Sequence, residues 1–110
     1  MRRGTTPGYV LRVAGADLTR CTNFATVAQG SKKLTLTGDR LAVSYSAEDK
    51  TSTVCFELTQ EETLGFCLGR ADVQVRFVDE AGYADATNVG SIAILPILNE
   101  DVIDYVPAGD

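Results

Sequence analysis

Two adjacent glutamates, Glu61 and Glu62, are the residues whose types and spacing first suggest chemistry. They lie in the stretch Leu58-Thr-Gln-Glu-Glu-Thr-Leu-Gly-Phe66, next to Cys67. Acid–base hydrolysis with paired carboxylates requires two groups that converge on one substrate. Neighbouring residues on a helix do not face each other. We therefore interpret the two glutamates as structural.

The same stretch has the spacing of a helix start. Thr59 and Glu62 stand three positions apart, the T-x-x-E arrangement in which each side chain bonds the backbone N–H of the other residue. Carboxylates in a first helical turn are also favoured by the helix dipole. We predict that a strand ends at Leu58. A short helical turn, ended by Gly65 or Gly69, then crosses from one sheet to the other.

The other reactive residue types are sparse. The chain has three cysteines, Cys21, Cys55 and Cys67, and no histidine. The cysteines cannot all pair internally and show no CxxC spacing, so a zinc site is disfavoured. We expect reduced, half-buried thiols in a protein made in a cytosol. Cys55 should point away from the core, and Cys67 should be packed after the helical turn.

An acidic stretch, residues 79–88, raises the question of calcium. Asp79, Glu80, Asp85 and Asn88 offer the oxygen ligands that Ca²⁺ prefers. Their spacing is not that of an EF-hand loop, and we predict a solvated hairpin loop with no metal. The phosphate-binding patterns of a P-loop and of GxGxxG are missing as well. We therefore expect no enzyme activity and no cofactor.

Size and charge exclude several classes of protein. The 110 residues suit a single domain, and the net charge of −5 disfavours binding to nucleic acid or to an anionic membrane. We see no apolar run long enough to span a membrane and no signal peptide. Most of the Lys and Arg residues lie in residues 1–40, and most of the acids in 41–110. This split is either scattered surface charge or a basic and an acidic end suited to head-to-tail assembly.

Period-two alternation of apolar residues recurs along the chain between turn residues, which is typical of strands with one buried face. Seven such segments predict an all-β fold, an antiparallel immunoglobulin-like sandwich of about seven strands with one short helical crossover. The predicted strands are residues 8–15, 21–31, 32–39, 41–46, 51–58, 72–80 and 90–96.

The two ends are expected to lie outside the sandwich of residues 8–96. Residues 1–7 read as an extended N-terminal arm, because Pro7 disfavours helix before it. No core role is visible for Arg2, Arg3, Thr5, Thr6 and Pro7. Residues 97–110 read as a C-terminal extension, either a short helical turn or a hooked segment, that packs on its own domain or on a neighbouring subunit. The possible assembly contacts at these ends are Arg2, Arg3, Pro7, Ile97, Leu98, Val102 and Ile103.

Four short stretches also carry a family resemblance. They are RRGTTP at the start, LTQEET in the middle, VQVR on the following strand, and TNVGSI with ILNEDVI near the end. In this order they resemble small immunoglobulin-like proteins of tailed phages and prophages of Gram-positive bacteria, which lie among tail, baseplate or fibre genes. The resemblance implies a virion structural subunit that is made in the bacterial cytoplasm and whose partners are copies of itself and other virion proteins. It implies no catalytic residue.

Two other functions remain open. The domain could be an immunoglobulin-like binding module that displays a carbohydrate or host-surface receptor site on its loops, or a capsid decoration protein. The lack of Trp and the few aromatic residues near the expected loop tips disfavour a carbohydrate site. An enzyme is the most distant alternative, because the chain lacks histidine and its acids are scattered.

Overall fold

Two antiparallel β-sheets form the structure, a computed structural model that describes residues 1–106. The last four residues of the predicted C-terminal extension, 107–110, lie outside the described part. The elements in chain order are β1 (Gly8–Ala14), β2 (Thr22–Gln29), β3 (Lys32–Thr37), β4 (Leu41–Ser46), β5 (Thr51–Glu57), α1 (Gln60–Leu64), β6 (Gly69–Val78), β7 (Ala84–Ala86) and β8 (Gly90–Ile94). Short 3₁₀ turns at Leu18–Arg20 and Gly38–Arg40 precede β2 and β4.

The strand order is that of an immunoglobulin-like sandwich. One sheet has the order β1-β5-β4, and the other has β3-β2-β6 followed by β8 and β7. β8 pairs with the first half of β6 and β7 with its end. These orders correspond to strands B-E-D and C′-C-F-G of immunoglobulin domains. The predicted all-β, antiparallel sandwich with one helical crossover is confirmed.

All seven predicted strands are present, and the sequence missed an eighth. β7 is a three-residue strand inside the acidic stretch, and its side chains are all exposed. A strand so short, with no buried face, leaves no alternation to detect. The predicted hairpin loop is therefore a β6–β7 hairpin followed by a second loop that leads to β8.

The core lies between the sheets and follows the predicted alternation. Ala25 of β2 lies level with Leu36 of β3 and Val75 of β6, so the three form one buried row. On β2 the inward side carries Asn23, Ala25 and Val27, and Phe24 points outward. The most buried large side chains from outside the strands are Leu18, Leu58 and Phe66.

One buried serine fixes the connection from β1 to β2, which crosses between the sheets. The Ser52 hydroxyl donates to the Ala16 carbonyl at 2.6 Å and accepts from the Leu18 N–H at 2.9 Å. Ser52 is fully buried on β5. A side chain of β5 thus bonds one carbonyl and one N–H of the connection between β1 and β2, as buried polar groups require.

Candidate functional site

The predicted capping motif is formed at α1. The Glu62 N–H donates to Thr59 Oγ1 at 3.1 Å, and the Thr59 N–H donates to Glu62 Oε1 at 2.8 Å. Both halves of the capping box are therefore present. α1 joins β5 of one sheet to β6 of the other, as the sequence predicts.

Glu62 also holds an ion pair that the sequence analysis missed. Arg40, just before β4, donates to the two carboxylate oxygens of Glu62 at 2.6 and 3.2 Å and to the Glu57 carbonyl at 3.1 Å. The hydrogen bond from Arg40 is the largest cause that lowers the pKa of Glu62 below its ordinary value. Glu61 is exposed. The adjacent glutamates thus have separate surroundings, and Glu62 ties α1 to the start of β4.

The structure places residues 1–7 differently from the predicted extended arm. Residues 2–5 form a turn, closed by a hydrogen bond from the Thr5 hydroxyl to the Arg2 carbonyl at 2.6 Å. Met1 packs against the core cluster. The Arg3 N–H donates to the Leu95 carbonyl at 3.1 Å, so the turn covers the end of the β8 edge. The segment is therefore a turn held against its own domain and not an extended arm.

Further contacts join the N-terminal turn to α1. The hydroxyl of buried Thr63 donates to the Thr5 carbonyl at 2.9 Å, and the Leu58 N–H donates to the Pro7 carbonyl at 3.1 Å. The Arg3 guanidinium donates to the Leu64 carbonyl at 2.9 Å. All three bonds are accepted by backbone carbonyls, which every residue has, so no residue pattern predicts them.

Beyond β8, the described part of the C-terminal extension, residues 97–106, has no helix or strand. We call it the C-terminal segment. It runs past the N-terminal turn, where Arg3 forms an ion pair with Glu100. It then reaches α1, where the Gln60 amide donates to the Ile103 carbonyl and accepts from the Ile103 N–H, both at 2.8 Å. Of the two predicted conformations, the hooked extension that packs on its own domain describes these contacts.

The C-terminal segment exposes apolar side chains along most of its length. Leu98 is 105% exposed and Ile103 60%. Tyr105 and Val106 are exposed as well, whereas Ile97 is half-buried. A run of exposed apolar residues marks an interaction surface more often than scattered ones do.

The seven predicted assembly contacts meet at this end of the molecule but differ in exposure. Arg2 is exposed and donates to the Pro96 carbonyl at 2.9 Å. The Arg3 side chain is largely covered, and Pro7 is half-buried. The residues that offer free apolar surface are Leu98, Val102 and Ile103. The structure describes one chain, so their role in assembly stays a prediction.

The cysteines lie apart from one another. Cys21 and Cys55 are half-buried, as expected, but Cys67 is exposed. The prediction that Cys67 is packed was wrong, because Phe66 takes the buried position next to it. Burial, followed by the charges of Asp79 and Asp17, raises the pKa of the Cys21 thiol, which disfavours the reactive thiolate.

The acidic stretch is organised by its first residue. Asp79 Oδ1 accepts from the N–H groups of Ala81 and Tyr83, both at 3.0 Å. The carboxylate thereby stabilises the turn between β6 and β7. Within residues 1–106, no three His, Cys, Asp or Glu side chains are grouped closely enough to hold a metal ion.

The outer surfaces of the two sheets carry open grooves. One groove of about 560 Å³ lies over the row formed by Val10, Cys55 and Ala42 on the three-stranded sheet. On the five-stranded sheet, two smaller grooves flank Thr26 and Arg76. Phe24 and Arg76 are level with each other on that surface.

The comparisons with known proteins do not assign a family. No family model matches the chain, and no curated protein is similar enough to indicate a relationship. In the described residues, no helix has both the length and the apolar character needed to cross a membrane.

Proposed function

We propose that this chain is a structural subunit of a tailed-bacteriophage virion, associated with the tail, baseplate or neck, and that it acts through protein–protein assembly. The observation that carries the proposal is the exposed apolar surface of the C-terminal segment, where Leu98, Ile103 and Tyr105 project from a well-packed sandwich. Such surface is costly in water and is removed when a partner covers it. The resemblance of RRGTTP and LTQEET to the phage proteins supplies the setting.

The decisive experiment is mass spectrometry of purified phage particles that carry the gene for this chain. The chain should be present at a fixed ratio to the tail proteins and should stay bound after washing. The same analysis of tails and heads, separated after particle disruption, then shows which part of the particle contains the chain. Its recovery with heads alone would favour the capsid decoration alternative, and its absence from both fractions would contradict the proposal.

Variants can connect incorporation to the C-terminal segment. Leu98→Ser with Ile103→Ser alters two exposed residues of this segment and should reduce incorporation without lowering the melting temperature. Val10→Ser is the matched control, because Val10 is 61% exposed on the three-stranded sheet. Equal incorporation of both variants would show that the C-terminal segment is not the contact surface.

A second candidate function, a carbohydrate or receptor site, is favoured by one surface. Phe24 exposes an aromatic ring next to Arg76 and the grooves that flank Thr26. An aromatic surface with polar neighbours can hold an amphipathic ligand. Binding of the purified chain to host cell walls, abolished by Phe24→Ser, would support this candidate, and equal binding by Phe24→Ser would remove it.

A further inference from the structure

We propose that the C-terminal segment of one copy adds as a strand to the free edge of β3 in a second copy. The inference deepens the proposed assembly function and rests on it for its setting. It names the partner, a second copy of this chain, and the two surfaces that meet. Strand addition of this kind uses backbone hydrogen bonds for affinity and alternate side chains for specificity.

The donor residues, Asp101–Val106, have the composition of a strand. Val102, Ile103, Tyr105 and Val106 have high β propensity, and all are exposed. Within residues 1–106, the segment has no strand partner in its own copy. Instead, the Gln60 amide bonds both the N–H and the carbonyl of Ile103, the two groups that a neighbouring strand would pair. Strand addition through Ile103 therefore replaces these two bonds with bonds to the backbone of β3.

The acceptor is the outer edge of β3. β3 pairs with β2 alone among the described residues, so its other edge carries unpaired backbone groups. Lys32 and Lys33, at the start of β3, are exposed and form no ion pair within residues 1–106. Leu34 is half-buried at the same edge, with apolar surface left to cover. The edge is therefore cationic and partly apolar.

The two segments are complementary in pattern. When Ile103 is placed opposite Leu34, Asp101, Ile103 and Tyr105 fall on the core side of the sheet, because side chains alternate along a strand. An antiparallel strand then places Asp104 opposite Lys33, and a parallel strand places Asp101 opposite Lys32. Either direction pairs a carboxylate with a lysine, and opposite charges across neighbouring strands are stabilising.

The remaining edges lack this complementarity. β4 contains no charged residue and β1 contains one cation, Arg12. The end of β8 is covered by residues 1–3, and β7 carries the acidic Asp85. An acidic strand is therefore directed to β3 by charge, which sets specificity more strongly than affinity.

A charge exchange tests the contact in the purified full-length chain. Wild-type protein should self-associate in sedimentation velocity at low salt, and association should weaken as salt screens the charges. Lys32→Glu with Lys33→Glu, and separately Asp101→Lys with Asp104→Lys, should each raise the dissociation constant about tenfold or more. Mixing the two double variants should restore association, because each then meets an oppositely charged partner.

The matched control is Arg12→Glu with Lys50→Glu, which makes the same charge change at positions outside β3 and should associate like wild type. Lys32 lies 5.3 Å from the centre of the Phe66 ring, so its variant is also checked by thermal melting. Should that variant fail to fold, the aspartate variant mixed with wild type provides the test. The C-terminal segment of the aspartate variant is cationic, whereas the β3 edge of that variant still accepts the C-terminal segment of wild type.

Amide hydrogen exchange identifies the strand itself. On association, amides of Lys32–Thr37 and of Val102–Val106 should become protected, and those of β1 and β4 should not. A wild-type chain that stays monomeric at high concentration would overturn the inference. So would association in which the amides of β3 gain no protection. These results are independent of the particle analysis, because a chain found in virions that does not self-associate would refute the strand addition alone.

Discussion

Replacing Glu62 by alanine should destabilise the domain by about 2 kcal/mol. The variant loses the hydrogen bond to the Thr59 N–H, worth about 1 kcal/mol as part of the N-cap. It also loses the ion pair with Arg40. Arg40 is 43% exposed, so solvent screening limits that pair to about 1 kcal/mol at most. For a domain of this size, the sum corresponds to a melting temperature lower by about 8 °C.

Urea unfolding of three variants at pH 7 checks this estimate. Thr59→Ala should cost about 1 kcal/mol, the usual value of a lost cap. Glu61→Ala is the matched control, because Glu61 is exposed on the same turn, and it should change stability by less than about 0.5 kcal/mol. Equal losses in the Glu61 and Glu62 variants would refute the reasoning. So would an unchanged midpoint for Glu62→Ala.

Three other predictions concern pH, the N-terminal turn and the β1–β2 connection. The pKa of Glu62 is lowered in the folded state, so its ionised carboxylate stabilises the fold above the ordinary value of 4.5 and this contribution disappears as the pH falls through the lowered pKa. The difference in stability between wild type and Glu62→Gln should therefore shrink on acidification, and a constant difference would contradict the assignment. Deletion of residues 2–6 should lower the melting temperature by several degrees in scanning fluorimetry, because the turn bonds to the end of β8 and to α1. An unchanged melting temperature would show that these bonds do not stabilise the domain. Ser52→Ala leaves the Leu18 N–H and the Ala16 carbonyl without their partner and should lower the free energy of unfolding by about 1–3 kcal/mol in urea melts. Ser44→Ala, at an exposed position on β4, is the control and should change it little. Comparable losses in the two variants would exclude a special role for the Ser52 hydroxyl.

The sequence could predict what depends on local pattern. Strand positions follow from side-chain alternation, and the cap follows from the Thr59–Glu62 spacing, since both signals extend over only a few residues. The pairing of Glu62 with Arg40 could not be predicted, because the two residues are distant in sequence and meet only after β4 and β5 have formed. The N-terminal turn was misjudged for a similar reason, since its bonds to α1 and to the end of β8 are all accepted by backbone carbonyls, which every residue has.

For the candidate site residues, the sequence predicted exposure in some cases but missed intramolecular bonds in others. Leu98, Val102 and Ile103 were selected for apolar character, and the structure exposes them. Arg3 was selected for charge, yet it serves the monomer through its bonds to Leu64 and Glu100. The charge of an arginine does not show whether it is free to contact another subunit or is already bonded within its own chain.

The strand order also has a consequence for how the chain folds. The hairpins β2–β3 and β4–β5 each join neighbouring strands, so their formation closes only short loops. β1 pairs with β5 across β2, β3 and β4, and β2 pairs with β6 across β3, β4, β5 and α1. Closing such long loops costs more entropy before any contact is gained. We expect the β1–β5 and β2–β6 pairings to form after the hairpins and to limit the folding rate, which places the domain among the slower, millisecond-to-second folders typical of β-sandwiches. Until β1 docks, the open side of β5 is a transient edge, and the time spent in that state sets the exposure of the nascent chain to misassembly.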